Sequence, residues 1–436
     1  MGGDAFALVS SHEDTLAFNG SGNAPHEWLR GDPPLGAATA TVPGAVAALA
    51  DLHARYGRIN WADLIEPAVL LAQEGIRVSE TLRSALARRA ATLDQTARDW
   101  SVRNWHTSPT TRVRQPELAT VLESIAVEGP AAFYEGWIGS QLVMSARQGG
   151  AWLGEADLTQ HATEVTTPVS LDVGGWTVLA QPPVSQAALI PFALDALQRA
   201  DGEDAPREHL LIEALEEGFA WRPHLYDRCG IDKLPWGWTP PGRPARRLGG
   251  ARGTAHTTSV STTDSDGMVV SMLVSVFHEF GSGYFVPRLG LFLNDRMLGF
   301  ESTASRRATR PVHTLSPVIV RNSNGCVGAA TPGADAQVQV LSQVLDQVMY
   351  AQDPWEVAIS RPRWRLDHQR LVLEEEFDSH VRGQLAALGH DILSVPLGDH
   401  SMGAVTLAGW TRTSPDAQRV CFSLADGRRG SDARQT

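Results

Sequence analysis

The chain has 436 residues, 43% hydrophobic and 20% charged, an ordinary globular composition that excludes a disordered or fibrous protein. Its formal charge of -12 offers no basic face to nucleic acid or an anionic membrane, and no run of 18 apolar residues suggests a membrane span. Cys229, Cys326 and Cys421 are too scattered for a disulfide framework or a metal site, so each is expected as a small buried residue.

Residues 5–18, AFALVSSHEDTLAF, predict a hairpin of two strands around a polar SHED turn. The opening MGGDAF carries no positive segment ahead of an apolar one, so it reads as a Gly-rich turn leading into a strand and not as a signal peptide. From Val46 the pattern becomes helical, and Trp61, Leu64, Ile65, Ala68 and Leu71 predict one apolar stripe. Helices with arginines on their outer face are expected through 77–128, then strand and turn over 149–158 and 168–189. Residues 206–226 predict a strong helix, with Pro206 near its start and acidic residues in its first turns. His209 and Glu213 stand one turn apart on it, but the sequence offers no third ligand and no metal is expected.

Residues 229–256 are rich in Gly, Pro and Arg, have little regular pattern, and mark the expected boundary. After them come a strand over 257–263, a DSDG turn, and a nearly continuous apolar strand over 268–277 that should be covered on both faces. A helix is expected over 334–350, and short strands and helices alternate to the end. The fold class is α+β, helices enclosing sheet.

The stretch GTAHTTSVSTTDSDG (253–267) raises a chemical question, because a strand opens on two threonines directly behind a Gly-rich, basic connector. A Thr hydroxyl is a weak nucleophile and needs a base. Freed at a chain start, Thr257 would carry its own, since an α-amino group titrates near ~8. Gly253 would let the preceding loop take the strained turn that an N→O acyl shift requires. Ser275, on the neighbouring antiparallel strand, could hydrogen-bond the Thr257 hydroxyl, and the TPGA turn (331–334) could point backbone N–H groups at an oxyanion.

The whole chain resembles the γ-glutamyltranspeptidase family. The segments that carry the likeness, in family order, include ATVPGAVAALADLHARYGRINWADLIEPAVLLAQEGIRVSE (40–80), FYEGWIGSQLV (133–143), HLLIEALEEGFA (209–220), TTSVSTTDSDGMVVSMLVSVFHEFGSGYFVPRLGLFLND (257–295) and RPVHTLSPVIV (310–320). The resemblance implies a four-layer αββα N-terminal-nucleophile hydrolase fold. It also implies a proenzyme that cuts itself before a threonine, and transfer or hydrolysis of an acyl group without a cofactor. On this basis residues 1–256 form a large-subunit region and 257–436 a small-subunit region, the two fragments of one chain becoming each other's partners. Thr257 falls on the nucleophile, the His256–Thr257 bond on the cut, Ser275 on a supporting hydroxyl, and Gly333 and Ala334 on the oxyanion pair.

The departures concern the substrate. Ser21, in NGSGNAP with Asn23, stands where γ-glutamyl-specific relatives carry an Arg for the substrate carboxylate; Gly299 stands where they carry the Asp that holds the ammonium. Phe277 replaces an Asn, and His313 and Thr314 replace a Ser pair. His278, Asp335 and Gln337 are expected among the pocket's polar groups. Losing two charge-assisted contacts, each worth roughly 1.5–3 kcal/mol, weakens γ-glutamyl binding by orders of magnitude. The pattern looks more like the branch of the family containing oxamate amidohydrolase and glutathione hydrolase-like proteins. The resemblance implies cleavage of an amide or γ-glutamyl bond through an acyl-enzyme on Thr257; an oxamate- or acylase-type amidohydrolase not specific for γ-glutamyl groups, and an unprocessed, catalytically silent binding protein, are the alternatives. Relatives also carry a signal and a helical segment ahead of the turn matched by MGGDAF, so part of one layer is expected to lie uncovered. They are often exported, and this chain shows no export signal.

Overall fold

A computed structural model describes residues 1–28, 35–104, 112–226, 231–241, 244–251, 257–300, 309–414 and 416–434. The expected hairpin forms as β1 (Asp4–Ser10) and β2 (Thr15–Gly20), paired antiparallel with Phe6 opposite Asn19. The remaining strands of the two main sheets are β3 (Glu164–Thr166), β4 (Val169–Val173), β5 (Trp176–Ala180), β6 (Thr258–Thr263), β7 (Val269–Ser275), β8 (Val318–Asn322), β9 (Gly325–Ala330), β10 (Thr406–Thr411) and β11 (Val420–Ala425). One sheet runs β3-β2-β1-β7-β6 and the other β11-β10-β9-β8-β5-β4, and every pairing in them is antiparallel.

The sheets lie face to face, with β6 and β7 against β9 and β10. Leu8, Leu179, Val269 and Ile319 fill the space between them, and Phe6, Leu273, Leu315 and Ala330 continue it towards one end. Helix α1 (Ala45–Tyr56) covers the outer face of the first sheet through Leu52 and Tyr56. On the far side, α4 (Leu189–Arg199), α5 (Arg207–Trp221) and α6 (Ala336–Met349) pack in the largest apolar cluster and cover the second sheet. The layers are therefore αββα. Strand β7 alternates fully and partly buried residues and is covered on both faces, by α1 on one and the second sheet on the other.

Two sequence expectations change in detail. Helix α2 (Trp61–Glu74) forms, but its buried line is Ile65, Val69 and Ala72 against α3 (Pro116–Glu128), while Leu64 and Leu71 remain half exposed. Ile65, Val69 and Ala72 face inward because they meet Ala119 and Leu122 of α3. Residues 149–158 contain a short helix, Glu155–Thr159, in place of strand, because the Asp157 carboxylate accepts the Gly154 N–H and closes a helical first turn. Cys326 is buried as expected, Cys421 is only half buried, and Cys229 lies outside the described residues. Beside α1, the outer face of the first sheet opens into a cleft of about 780 Å³ lined by Phe18, Ala50, Tyr134, His161 and Val165. No described helix is long and apolar enough to cross a membrane.

Leu273 stands fully buried between the sheets. Leu273→Ala is expected to lower stability by about 2–5 kcal/mol through the cavity it leaves. Leu71→Ala should stay within about 0.5 kcal/mol. Urea unfolding of both variants separates the two sites.

Candidate active site

Strands β6 and β7 bring together the residues that the threonine reading depends on. Thr258 pairs with Val274, so the register carried one residue further sets Thr257 opposite Ser275. Along β6 the half-buried positions alternate with exposed ones, and Thr257, Ser259 and Ser261 share the inner face. A line of hydroxyls ties this face to the second sheet. Ser261 Oγ donates to the Thr406 carbonyl at 3.0 Å, Thr406 Oγ1 donates to Ser259 Oγ at 3.1 Å, and Ser271 Oγ donates to the Ala329 carbonyl at 2.8 Å. Thr406 is itself paired with Ala330, the last residue of β9. Running from Ser261 to Thr257 on one sheet and from Ala329 past Ala330 on the other leads to the same end of the sandwich. The 331–334 turn begins there.

That turn precedes α6, with Asp335 at its N-cap. Gly333 has φ +133° and Ala334 φ +50°, so Ala334 sits in the left-handed region. Such a conformation costs an L-residue roughly 1–2 kcal/mol. No described residue accepts from the Gly333 or Ala334 N–H, as is usual for amides just ahead of a helix. The turn is held from three sides. Gln186 Nε2 donates to the Ala334 carbonyl at 3.3 Å, and Ala404 N–H donates to Thr331 Oγ1 at 3.0 Å. Gly403, at φ +74°, lies so close to Thr331 that a Cβ there would fall 2.5 Å from its Oγ1. The Asp335 carboxylate is buried and ion-paired with Arg222 at 2.5 Å, and Arg222 also donates to the Gly250 carbonyl at 2.9 Å. Asp335 thus links the turn to the end of α5 and to the connector.

The other expected pocket residues distribute unevenly. His313 is fully buried, with Nε2–H donating to Asp4 Oδ2 at 3.0 Å and Nδ1 accepting the Leu315 N–H at 3.2 Å. Both ring nitrogens are committed, so His313 acts by holding Asp4. Burial, then the nearby Arg296 charge, pushes its pKa down to about 4. Thr314 Oγ1 accepts from Arg296 Nη1 at 3.3 Å. Gln337 Oε1 accepts the Ser316 N–H at 2.9 Å. His278 binds Asp295 through its ring at 2.7 Å and through its backbone N–H at 3.1 Å. Ser21 is buried and donates to Asn19 Oδ1 at 2.6 Å, and the Asn23 carbonyl accepts the Val42 N–H. Ser275 Oγ accepts the Phe277 N–H at 2.9 Å, which holds Phe277 at φ +79°. His256 and Gly253 lie outside the described residues.

Sequence reasoning missed Asp4 and Arg296. Asp4 pairs directly with Ser275 across β1 and β7, and its carboxylate takes the Gly22 N–H, the His313 ring and the Arg296 guanidinium. A lone Asp in an apolar strand was the available signal, since a charge in such a place must find partners. His390, far along the chain, supplies the third group beside His209 and Glu213 that the sequence did not offer: His209 Nδ1 meets His390 Nε2 at 2.9 Å. The Glu213 carboxylate is bound by Arg246 at 2.8 Å, so the cluster is knit by protein groups.

Comparison with known proteins agrees with this architecture. Residues 1–235 and 241–435 match the profile of the gamma-glutamyltranspeptidase family. A solved cephalosporin acylase from Bacillus halodurans superposes with a TM-score of 0.80, at 24% identity over 99% of this chain and 86% of its own. The layers and the likeness define an N-terminal-nucleophile hydrolase fold. The chain belongs to the γ-glutamyltranspeptidase family, whose members are hydrolases and acyltransferases. It is 29% identical to the oxamate amidohydrolase proenzyme of Klebsiella pneumoniae, over 90% of this chain and 83% of that one. It is also 29% identical to the glutathione hydrolase-like YwrD proenzyme of Bacillus subtilis, over 92% and 85%.

Two tests follow from this geometry. Ala334→Gly relieves a left-handed alanine and should raise stability by about 0.5–1 kcal/mol after the flexibility of glycine is discounted, read from the urea midpoint. His313 stays neutral when folded down to about pH 4, whereas the unfolded imidazole protonates near 6.5. The unfolded chain therefore binds the extra proton between those values, and stability should fall as pH drops from 6.5 towards 4. His313→Gln, whose amide can still donate to Asp4, should flatten the pH profile of the urea midpoint in that window.

Proposed function

We propose that the chain is a self-processing threonine amidohydrolase or acyltransferase. The Thr257 hydroxyl attacks the His256 carbonyl, and the peptide nitrogen takes up a proton and leaves as the α-amine of Thr257. Water then hydrolyses the resulting ester and frees the His256 carboxylate. Residues 1–256 and 257–436 become two fragments that stay associated. The mature Thr257 uses its own amine as base to attack a substrate amide, while the Gly333 and Ala334 N–H groups stabilise the oxyanion and Ser275 supports the nucleophile. Water or an amine resolves the acyl-enzyme. A γ-glutamyl group is not the preferred acyl part, and an oxamate- or acylase-type amide is.

The observation that carries the reading is the convergence of Thr257, Ser275 and the 331–334 turn at one end of the sandwich, in a chain of this family. The proenzyme names of its relatives agree with it. Intact-mass measurement tests it. The wild-type chain should appear as two fragments, and Thr257→Ala as a single uncut species of 47.0 kDa with no amide turnover. A Thr257→Ala chain that still divides at this bond overturns the mechanism.

A further inference from the structure

Arg296 follows Asp295 at the head of a short 3-10 turn, Arg296–Gly299, and its side chain is almost wholly removed from solvent. A guanidinium has five N–H donors in a fixed fork and no means of losing its charge near neutral pH. Burial lowers the Arg296 pKa only to about 10, opposed by Asp4 and Asp295, so it remains cationic at pH 7. Its contacts leave part of that fork unused. Nε faces Asp4 Oδ2 at 3.3 Å, outside good hydrogen-bond geometry, and Nη1 donates to Thr314 Oγ1 at 3.3 Å. One face of the guanidinium lies over the Phe277 ring, 4.6 Å from its centre. Nη2 is buried and donates to no acceptor among the described residues.

A buried charged donor with nothing to bind is costly, and such groups are nearly always satisfied. The nearby carboxylates are already shared: Asp4 takes the Gly22 N–H and the His313 ring as well, and Asp295 takes the His278 ring and backbone. Asp4 also fixes where Arg296 sits, because it is paired with Ser275, which the register sets opposite Thr257. The unpaired edge of the fork is therefore at the same end of the first sheet as the nucleophile.

We propose that Arg296 binds the carboxylate of the substrate, which makes the substrate an amide whose acyl part ends in a carboxylate. This rests on the reading of Thr257 as the nucleophile, with the carbonyl under attack close to the carboxylate end. Nη2 supplies the donors and Thr314 orients the fork beside them. A substrate ammonium is disfavoured at this point by the guanidinium charge. Arg296 is then a specificity-determining residue. Sequence reading passed over it because nothing in LND followed by Arg announces a buried cation.

The smallest members of the class make the test, since no pocket is too small for them. Oxalate carries the charge and cannot be hydrolysed, and oxamide has the same size with none. Calorimetric titration of the processed wild-type protein should show oxalate binding and no oxamide binding. Arg296→Lys, which keeps the charge beside Asp4 but loses the fork, should bind oxalate at least 10-fold more weakly. Oxamate turnover should be lost through a raised KM with kcat nearly kept. The inference is overturned if oxalate fails to bind, if oxamide binds the wild type equally well, or if Arg296→Lys binds oxalate as the wild type does. Intact mass separates the two readings. A chain cut before Thr257 that shows no preference for the anion removes the Arg296 role alone. An uncut chain that binds oxalate through Arg296 removes the nucleophile reading and leaves an anion site.

Discussion

The pairing of β1 with β7 is the interaction on which the rest of the architecture depends. It joins residues from the first ten of the chain to residues from the second half, in a continuous antiparallel register from Asp4–Ser275 to Ser10–Val269. Because β1 also pairs with β2, and β7 with β6, the first sheet is one unit built from both halves. The second sheet repeats the device, with β5 from the first half beside β8 from the second. A break in the connector would leave every ladder in place. The two parts would still share a packed interior, and separating them would expose the apolar surface between the sheets.

Much of this was legible in the sequence, for reasons that can be named. The SHED hairpin, the helix at 206–226 and the strand pair around DSDG each carry a local signal strong enough to override context. The face of α2 was not legible, because helical periodicity permits several stripes and the approach of α3 selects among them. Thr257, Ser275 and the 331–334 turn could be singled out by chemistry and by likeness to a family. Their convergence could not, since it follows from long-range register. Arg296 and His390 were invisible for the same reason, and Asp4 announced only that it needs partners: a buried charge or imidazole is defined by groups that lie elsewhere in the chain.

The buried polar groups also explain how the site tolerates its unusual residues. Asp4 gathers a backbone N–H, an imidazole and a guanidinium around one carboxylate, while the Nη2 edge of Arg296 has no acceptor among the described residues. His313 contributes as a neutral donor, and Phe277 offers its ring to the Arg296 cation.

The turn at 331–334 is braced by Gly403 and Ala404, the latter bonded to it across 73 positions of sequence. Both turn and brace lie C-terminal to residue 257, so a cut at the connector cannot part them. Gln186 and Arg222, on the other side of residue 257, hold the turn as well, so its shape depends on both parts of the chain. It is also adjustable from a remote tail: a change near residue 403 alters the conformation at 331–334 while strand β6 stays untouched.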